Sequence, residues 1–119
     1  MAIVIDELTP EEVWERFQNS YNYRTSFSIE GIGAIFEYFE NIEIDHEYES
    51  FDLIGWHSTF YEEKTPEKLL KAIEPEEYKE IEKNYSEKNI RDKCMEFIEN
   101  NYDWFKYLDN GGVIVYYPR

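Results

Sequence analysis

Trp104-Phe105-Lys106-Tyr107-Leu108-Asp109-Asn110-Gly111-Gly112-Val113-Ile114-Val115-Tyr116-Tyr117 is the stretch that decides the fold class. Two runs of aromatic and branched residues flank an Asp-Asn-Gly-Gly turn. Asn-Gly in such a turn supplies the positive φ that tight hairpins need. A hairpin at 104–108 and 113–117 follows, in a chain that otherwise shows mostly helical periodicity. Upstream, Thr9-Pro10-Glu11-Glu12 combines an N-cap, a first-turn proline and a capping-box glutamate. Val13, Trp14, Phe17 and Tyr21 extend that signal at helical spacing. Ser28 caps a second helix with the stripe Ile29, Ile32, Ile35, Phe36 and Phe39. Gly31 and Gly33 weaken it by roughly 1 kcal/mol each against Ala and leave room for a close neighbour. Thr65-Pro66-Glu67 opens another helix, Pro75 interrupts it, Glu76–Tyr85 forms a short one, and Ser86 caps a longer one carrying Ile90, Cys94, Phe97, Ile98 and Tyr102. Phe51, Ile54, Trp56, Thr59, Phe60 and Tyr61 predict a third strand. The expected architecture is α+β. A small antiparallel sheet of about three strands (51–61, 104–108, 113–117) is covered by four to five helices in one acidic domain spanning 1–119.

Between these elements lies an electrostatic anomaly. Thr25 to Glu63 contains no Lys or Arg but ten carboxylates, Glu30, Glu37, Glu40, Glu43, Asp45, Glu47, Glu49, Asp52, Glu62 and Glu63. That block carries two thirds of the net charge of −15. Phe, Tyr, Ile and Trp run through it, so its composition is not that of a disordered acidic tail. Glu43-Ile44-Asp45-His46-Glu47-Tyr48-Glu49 alternates strictly, and its acids are poor strand formers, so a loop or irregular extended connection is expected. Extended, alternate carboxylates there stand ~6.6–6.8 Å apart. That spacing imitates every second ~3.4 Å step of one DNA strand. Glu37 and Glu40 continue the track from the helix end.

Chemistry of other kinds finds little support. The metal-site candidates Glu43, Asp45, His46 and Glu49 match no established ligand spacing, so no metal and no cofactor are expected. Cys94 is the single cysteine, on an apolar helix stripe, and is expected to be a core thiol. Gly31-x-Gly33 and Gly111-Gly112 lack a phosphate-loop continuation. Trp14, Trp56 and Trp104 are expected in the core. Glu74, Glu76, Glu77, Glu80 and Glu82 interleave with Lys79 and Lys83, as on an ordinary exposed helix. No apolar run nears the roughly 20 residues of a membrane span. Met1-Ala2-Ile3-Val4-Ile5-Asp6 is too short and acidic for a signal peptide. The charge repels nucleic acid and anionic lipid. The expectation is a non-catalytic cytoplasmic protein, with no direct nucleic-acid or membrane binding. Its partner-binding residues are Glu37, Glu40, Glu43, Asp45, Glu47, Glu49 and Asp52, with Tyr38 and Tyr48 as aromatic contacts and Tyr61 beside them.

Phe27-Ser28-Ile29-Glu30-Gly31-Ile32, followed by Ile35-Phe36-Glu37-Tyr38-Phe39-Glu40, resembles a motif of small acidic proteins from phages and mobile elements. In that group a Phe-Ser-aromatic-Glu-Gly-Leu opening leads into a Leu-Phe-acidic-Tyr-Leu-Glu helix, then a strand, helices and a closing strand after a glycine turn, here Leu108 to Val115. The likeness covers roughly residues 26–61 and 104–116, while 62–103 has no counterpart. The resemblance implies a neighbourhood of antirestriction and anti-CRISPR inhibitors, several of which look like DNA to their targets. It carries over no catalytic residue. The partner it implies is a basic, nucleic-acid-binding defence enzyme. The alternative is a different basic partner, such as a toxin held by an immunity protein, or a phage or host regulator.

Overall fold

The computed structural model describes residues 3–4, 8–41 and 50–119. The chain divides into two compact units, Met1–Tyr61 with Tyr117–Arg119, and Glu62–Tyr116. Among the described residues are six helices and a three-stranded antiparallel sheet, an α+β fold.

In the first unit a two-residue strand, β1 (Ile3–Val4), pairs antiparallel with β2 (Ser50–Phe51), Ile3 opposite Phe51. Helix α1 (Pro10–Gln18) starts on the expected capping box: Glu12 N donates to Thr9 Oγ1 at 3.2 Å, and Thr9 N donates to Glu12 Oε1 at 3.1 Å. Val13 and Phe17, four apart, bury completely. Tyr21 does not extend that stripe. The helix ends at Gln18, a series of turns follows, and Tyr21 is 82% exposed with the Arg24 guanidinium over its ring.

Helix α2 (Ile29–Asn41) begins where Ser28 Oγ accepts the Gly31 amide at 3.0 Å. It packs on α1 and buries Gly31, Ile32, Ala34 and Ile35. Phe27, just before α2, meets Phe17 edge-on at 5.2 Å. Gly31 is buried, but a Cβ on Gly33 would meet nothing within 4 Å, so no close neighbour explains that glycine.

The strand expected over 51–61 is corrected. Only its ends are extended; Leu53–Thr59 is helix α3. Ile54 is 58% exposed and Trp56 only 4%. Residues two apart share a face in a strand but not in a helix. Trp56 packs against Phe36 at 5.9 Å and Phe39 at 5.8 Å, both on α2. Burial of that indole fixes the backbone against the local β preference.

Strand β3 (Phe60–Glu63) carries the chain into the second unit. There Thr65 Oγ1 accepts from Lys68 N at 3.1 Å and opens α4 (Pro66–Ile73). α5 (Pro75–Asn84) and α6 (Glu87–Asn101) pack with it around Leu69, Leu70, Ile81, Cys94 and Ile98. Glu74 alone separates α4 from α5, and the Tyr102 hydroxyl donates to its Oε1 at 3.0 Å. β4 (Phe105–Tyr107) and β5 (Val113–Tyr116) form the hairpin, Phe105 opposite Val115 and Tyr107 opposite Val113. The strand order is β3-β5-β4. Val113, Ile114 and Val115 on the central strand are all fully buried. In the turn, Gly111 takes φ +89° and the neighbouring Asn110 does not take a positive φ. The Asn110 side chain instead accepts the Gly112 amide at 2.8 Å.

Candidate functional site

The first unit holds three cations, Arg16, Arg24 and Arg119, against thirteen carboxylates. Two of its described helices are acidic: α1 carries Glu11, Glu12 and Glu15 beside Arg16, and α2 carries three carboxylates and no cation. Ile32, Ala34 and Ile35 are buried, and Glu30, Glu37 and Glu40 are all exposed. Residues seven apart nearly eclipse after two turns, and residues three apart are neighbours. At 1.5 Å rise per residue the three carboxylates span ~15 Å of helix. Glu30 completes the row. The sequence puts all three off the apolar stripe, and the expected partner-binding set holds Glu37 and Glu40 without Glu30, whose spacing of seven from Glu37 is the signal that joins it to them.

The row is backed by aromatics. Tyr38 stacks on Phe39 at 5.3 Å and meets Phe60 edge-on at 5.3 Å. Phe39 also meets Phe60 at 6.2 Å. Tyr38 is thus half-buried and helps seat α2, so only part of its ring is open to a partner. Asp52, the N-cap of α3, is exposed; its side chain makes no capping hydrogen bond. Its carboxylate folds over Gly55, where an added Cβ would lie 2.9 Å from Asp52 Oδ2. Glu43, Asp45, Glu47, Tyr48 and Glu49, and with them the metal cluster weighed above, lie outside the described residues. Among the described residues no group of His, Cys, Asp and Glu is placed to hold a metal ion. Nor is any helix there long and apolar enough to cross a membrane.

Arg119 spends its charge elsewhere. Its guanidinium donates to the carbonyls of His57 and Phe60 at the end of α3 and lies over the rings of Tyr61 and Tyr117, at 5.3 and 5.8 Å. His57 in turn sits 2.8 Å from Ser26 Oγ through Nδ1, with the Tyr23 ring edge-on at 4.8 Å. Burial, and then the Arg119 charge, hold its imidazole below the usual histidine range. Nothing in sequence spacing links residues 26, 57 and 119.

The second unit is electrostatically ordinary. Arg91 Nε reaches Glu67 Oε1 at 3.1 Å, and Lys93 pairs with Glu96 at 3.3 Å while lying over the Tyr85 ring at 4.8 Å. That pairing raises the Lys93 pKa, chiefly through the Glu96 hydrogen bond. An open groove of about 300 Å³ between α5 and α6 is lined by Glu77, Glu80, Asn84, Tyr85, Lys93 and Glu96, among others. Cys94 is buried, and burial pushes its thiol to about 11, far from the range of a reactive nucleophile.

No family model, curated protein or solved structure matches the chain.

Proposed function

We propose that the chain is a non-catalytic inhibitor of a nucleic-acid-binding defence enzyme of restriction or CRISPR type, produced by a phage or mobile element and acting in the host cytoplasm. It occupies the enzyme's basic groove in place of nucleic acid. The observation that carries this reading is the charge of the first unit, thirteen carboxylates to three cations, with three acids in a row on α2. A helix held by an aromatic cluster is a rigid mount, and rigidity matters because a decoy must present its charges at fixed spacing. Duplex DNA shows one charge per ~1.7 Å of axis, and a groove built for it tracks phosphates with Lys and Arg. Glu30, Glu37 and Glu40 supply one edge of such a track. Asp52 and, by sequence alone, the carboxylates of 43–49 add to the negative charge of the same unit. Contacts of this kind chiefly add steering and specificity.

The test uses the enzyme captured from host lysate on immobilised chain. Its affinity is measured at rising salt, with and without competing duplex DNA or RNA. Affinity falls steeply with salt and is lost to competitor. Joint charge reversal at Glu43, Asp45 and Glu47 weakens binding and leaves the fold intact. A complex indifferent to both salt and competitor refutes the reading. If the captured partner is a basic toxin without a nucleic-acid groove, the chain is an immunity protein instead.

A further inference from the structure

Three segments of the first unit converge on one imidazole. The connection between α1 and α2 is a chain of turns, with Tyr23 N and Arg24 N both donating to Ser20 O at 3.2 and 3.0 Å, and Ser26 N to Tyr23 O at 3.0 Å. Gln18 Nε2 ties the connection back to α1 through Arg24 O at 3.0 Å. The connection delivers Ser26 Oγ to 2.8 Å from His57 Nδ1, and the Tyr23 ring to its edge. Helix α3 supplies His57 itself. From the other side, residues 117–119 run back along the end of α3. Tyr117 N donates to Thr59 O at 2.7 Å and Arg119 N to Ser58 O at 2.8 Å, and the Arg119 guanidinium caps the His57 and Phe60 carbonyls.

We propose that His57 is a proton-operated latch, which when neutral holds the 117–119 segment on the end of α3 and when protonated lets that segment go. The titratable or charged groups that face it among the described residues are Tyr23 from the turn and Arg119 from the terminal segment. Ser26 is adaptable. Its hydroxyl can donate to a neutral Nδ1 or accept from a protonated one, so the turn keeps its contact in either state. Arg119 has no such freedom. Its guanidinium is always charged, and it is bonded to the carbonyl of the very residue that acquires the second charge. Arg119 is also the more exposed of the two partners, so it is the one that yields.

The direction follows from linkage. The latched state binds the proton less readily than the released state, so acid favours release. The latch is closed at and above the ordinary histidine pKa of ~6.5 and opens as pH falls through the lower value of the folded protein. Helix α3 carries both Asp52 and the Trp56 on which α2 leans. The switch therefore acts on the element that seats the acidic row. It stands whatever the partner of that row proves to be.

The experiment is an NMR pH titration of the isotopically labelled full chain. The His57 signal is separated from that of the other histidine, His46, with amide protection followed at Tyr117 and Arg119. His57 titrates below the ordinary range, and protection at both amides falls through the same midpoint while that of Ile114 is unchanged. Each unit between the latched and released midpoints amounts to a tenfold loss of protection. Arg119→Gln moves the His57 midpoint upward. His57→Asn, which keeps an acceptor for Ser26, leaves the remaining protection independent of pH. A His57 midpoint at or above the ordinary range overturns the proposal. So does protection at 117 and 119 that ignores the titration, or that varies with pH equally in His57→Asn. If His57→Asn fails to fold, the Arg119→Gln shift decides alone, and an unmoved midpoint refutes the latch.

Discussion

Adding one methyl group at Gly112 should cost more than any other glycine-to-alanine change in the sheet. A Cβ built there lies 2.8 Å from the Glu63 carbonyl oxygen on β3 and 2.9 Å from Asn110 Oδ1. The Asn110 amide is a side chain and can swing away, at the loss of its 2.8 Å bond to the Gly112 amide. The Glu63 oxygen is backbone within a strand and cannot move alone. Overpacking of this kind costs about 1–3 kcal/mol. Losing one partly buried hydrogen bond adds roughly 0.5–1.5 kcal/mol. Together these come to about 1.5–4.5 kcal/mol. For a chain of this length 1 kcal/mol moves Tm by about 4 °C, so Gly112→Ala should lower Tm by roughly 6–18 °C. Gly33→Ala is the internal control. Its Cβ enters open space on a helix, and Ala is favoured there by about 0.8–1.0 kcal/mol, so its Tm should rise by about 3–4 °C. Thermal unfolding by circular dichroism, in one buffer, measures both. Opposite signs support the close approach of β5 to β3. A Gly112→Ala protein as stable as the parent refutes it.

Three further outcomes are expected. Ile54→Lys should change stability by no more than about 0.5 kcal/mol, while Trp56→Ala should cost about 3–5 kcal/mol; equal losses by urea denaturation would restore a strand at 53–59. Glu40→Gln relieves the like-charge neighbour Glu37 and should raise stability by about 0.2–0.5 kcal/mol in low salt, a gain that vanishes in 1 M salt; a gain independent of salt would deny the electrostatic cause. Cys94 should resist a thiol reagent at pH 8 until denaturant is added. Its thiol stays protonated to about 11 in the fold, yet ionises near ~8.5 once unfolded. Alkali therefore favours the unfolded chain, and the thiol's contribution to stability should fall as pH climbs from ~8.5 towards 11. Rapid labelling of the native protein would contradict this.

What the sequence made legible was local. The Thr9 capping box, the Thr65-Pro66 start and the glycine turn each involve residues within four positions of one another, and each stands where its chemistry requires. The misreadings come from distance. Leu53–Thr59 carries β-forming side chains, and what makes it helical is an indole packed on rings from a helix some twenty residues earlier. Tyr21 continues the α1 period on paper, yet the chain turns at Asn19 and leaves it outside. The acidic row on α2 is legible in its spacing, three between Glu37 and Glu40 and seven between Glu30 and Glu37, and the burial of Ala34 and Ile35 confirms that this side of the helix faces outward. His57, Ser26 and Arg119 meet across 31 and 62 positions, and no spacing rule reaches that far.

Glu74 has an engineering consequence. It closes α4 and opens α5 as a single shared residue, and the Tyr102 hydroxyl fastens its carboxylate. That corner has no slack. A one-residue insertion in the first turn of α5 would rotate Tyr78 and Ile81 by about a hundred degrees about the helix axis, out of their buried positions. Affinity tags, fluorophores and circularly permuted termini belong instead at the exposed Asp109–Asn110 tip.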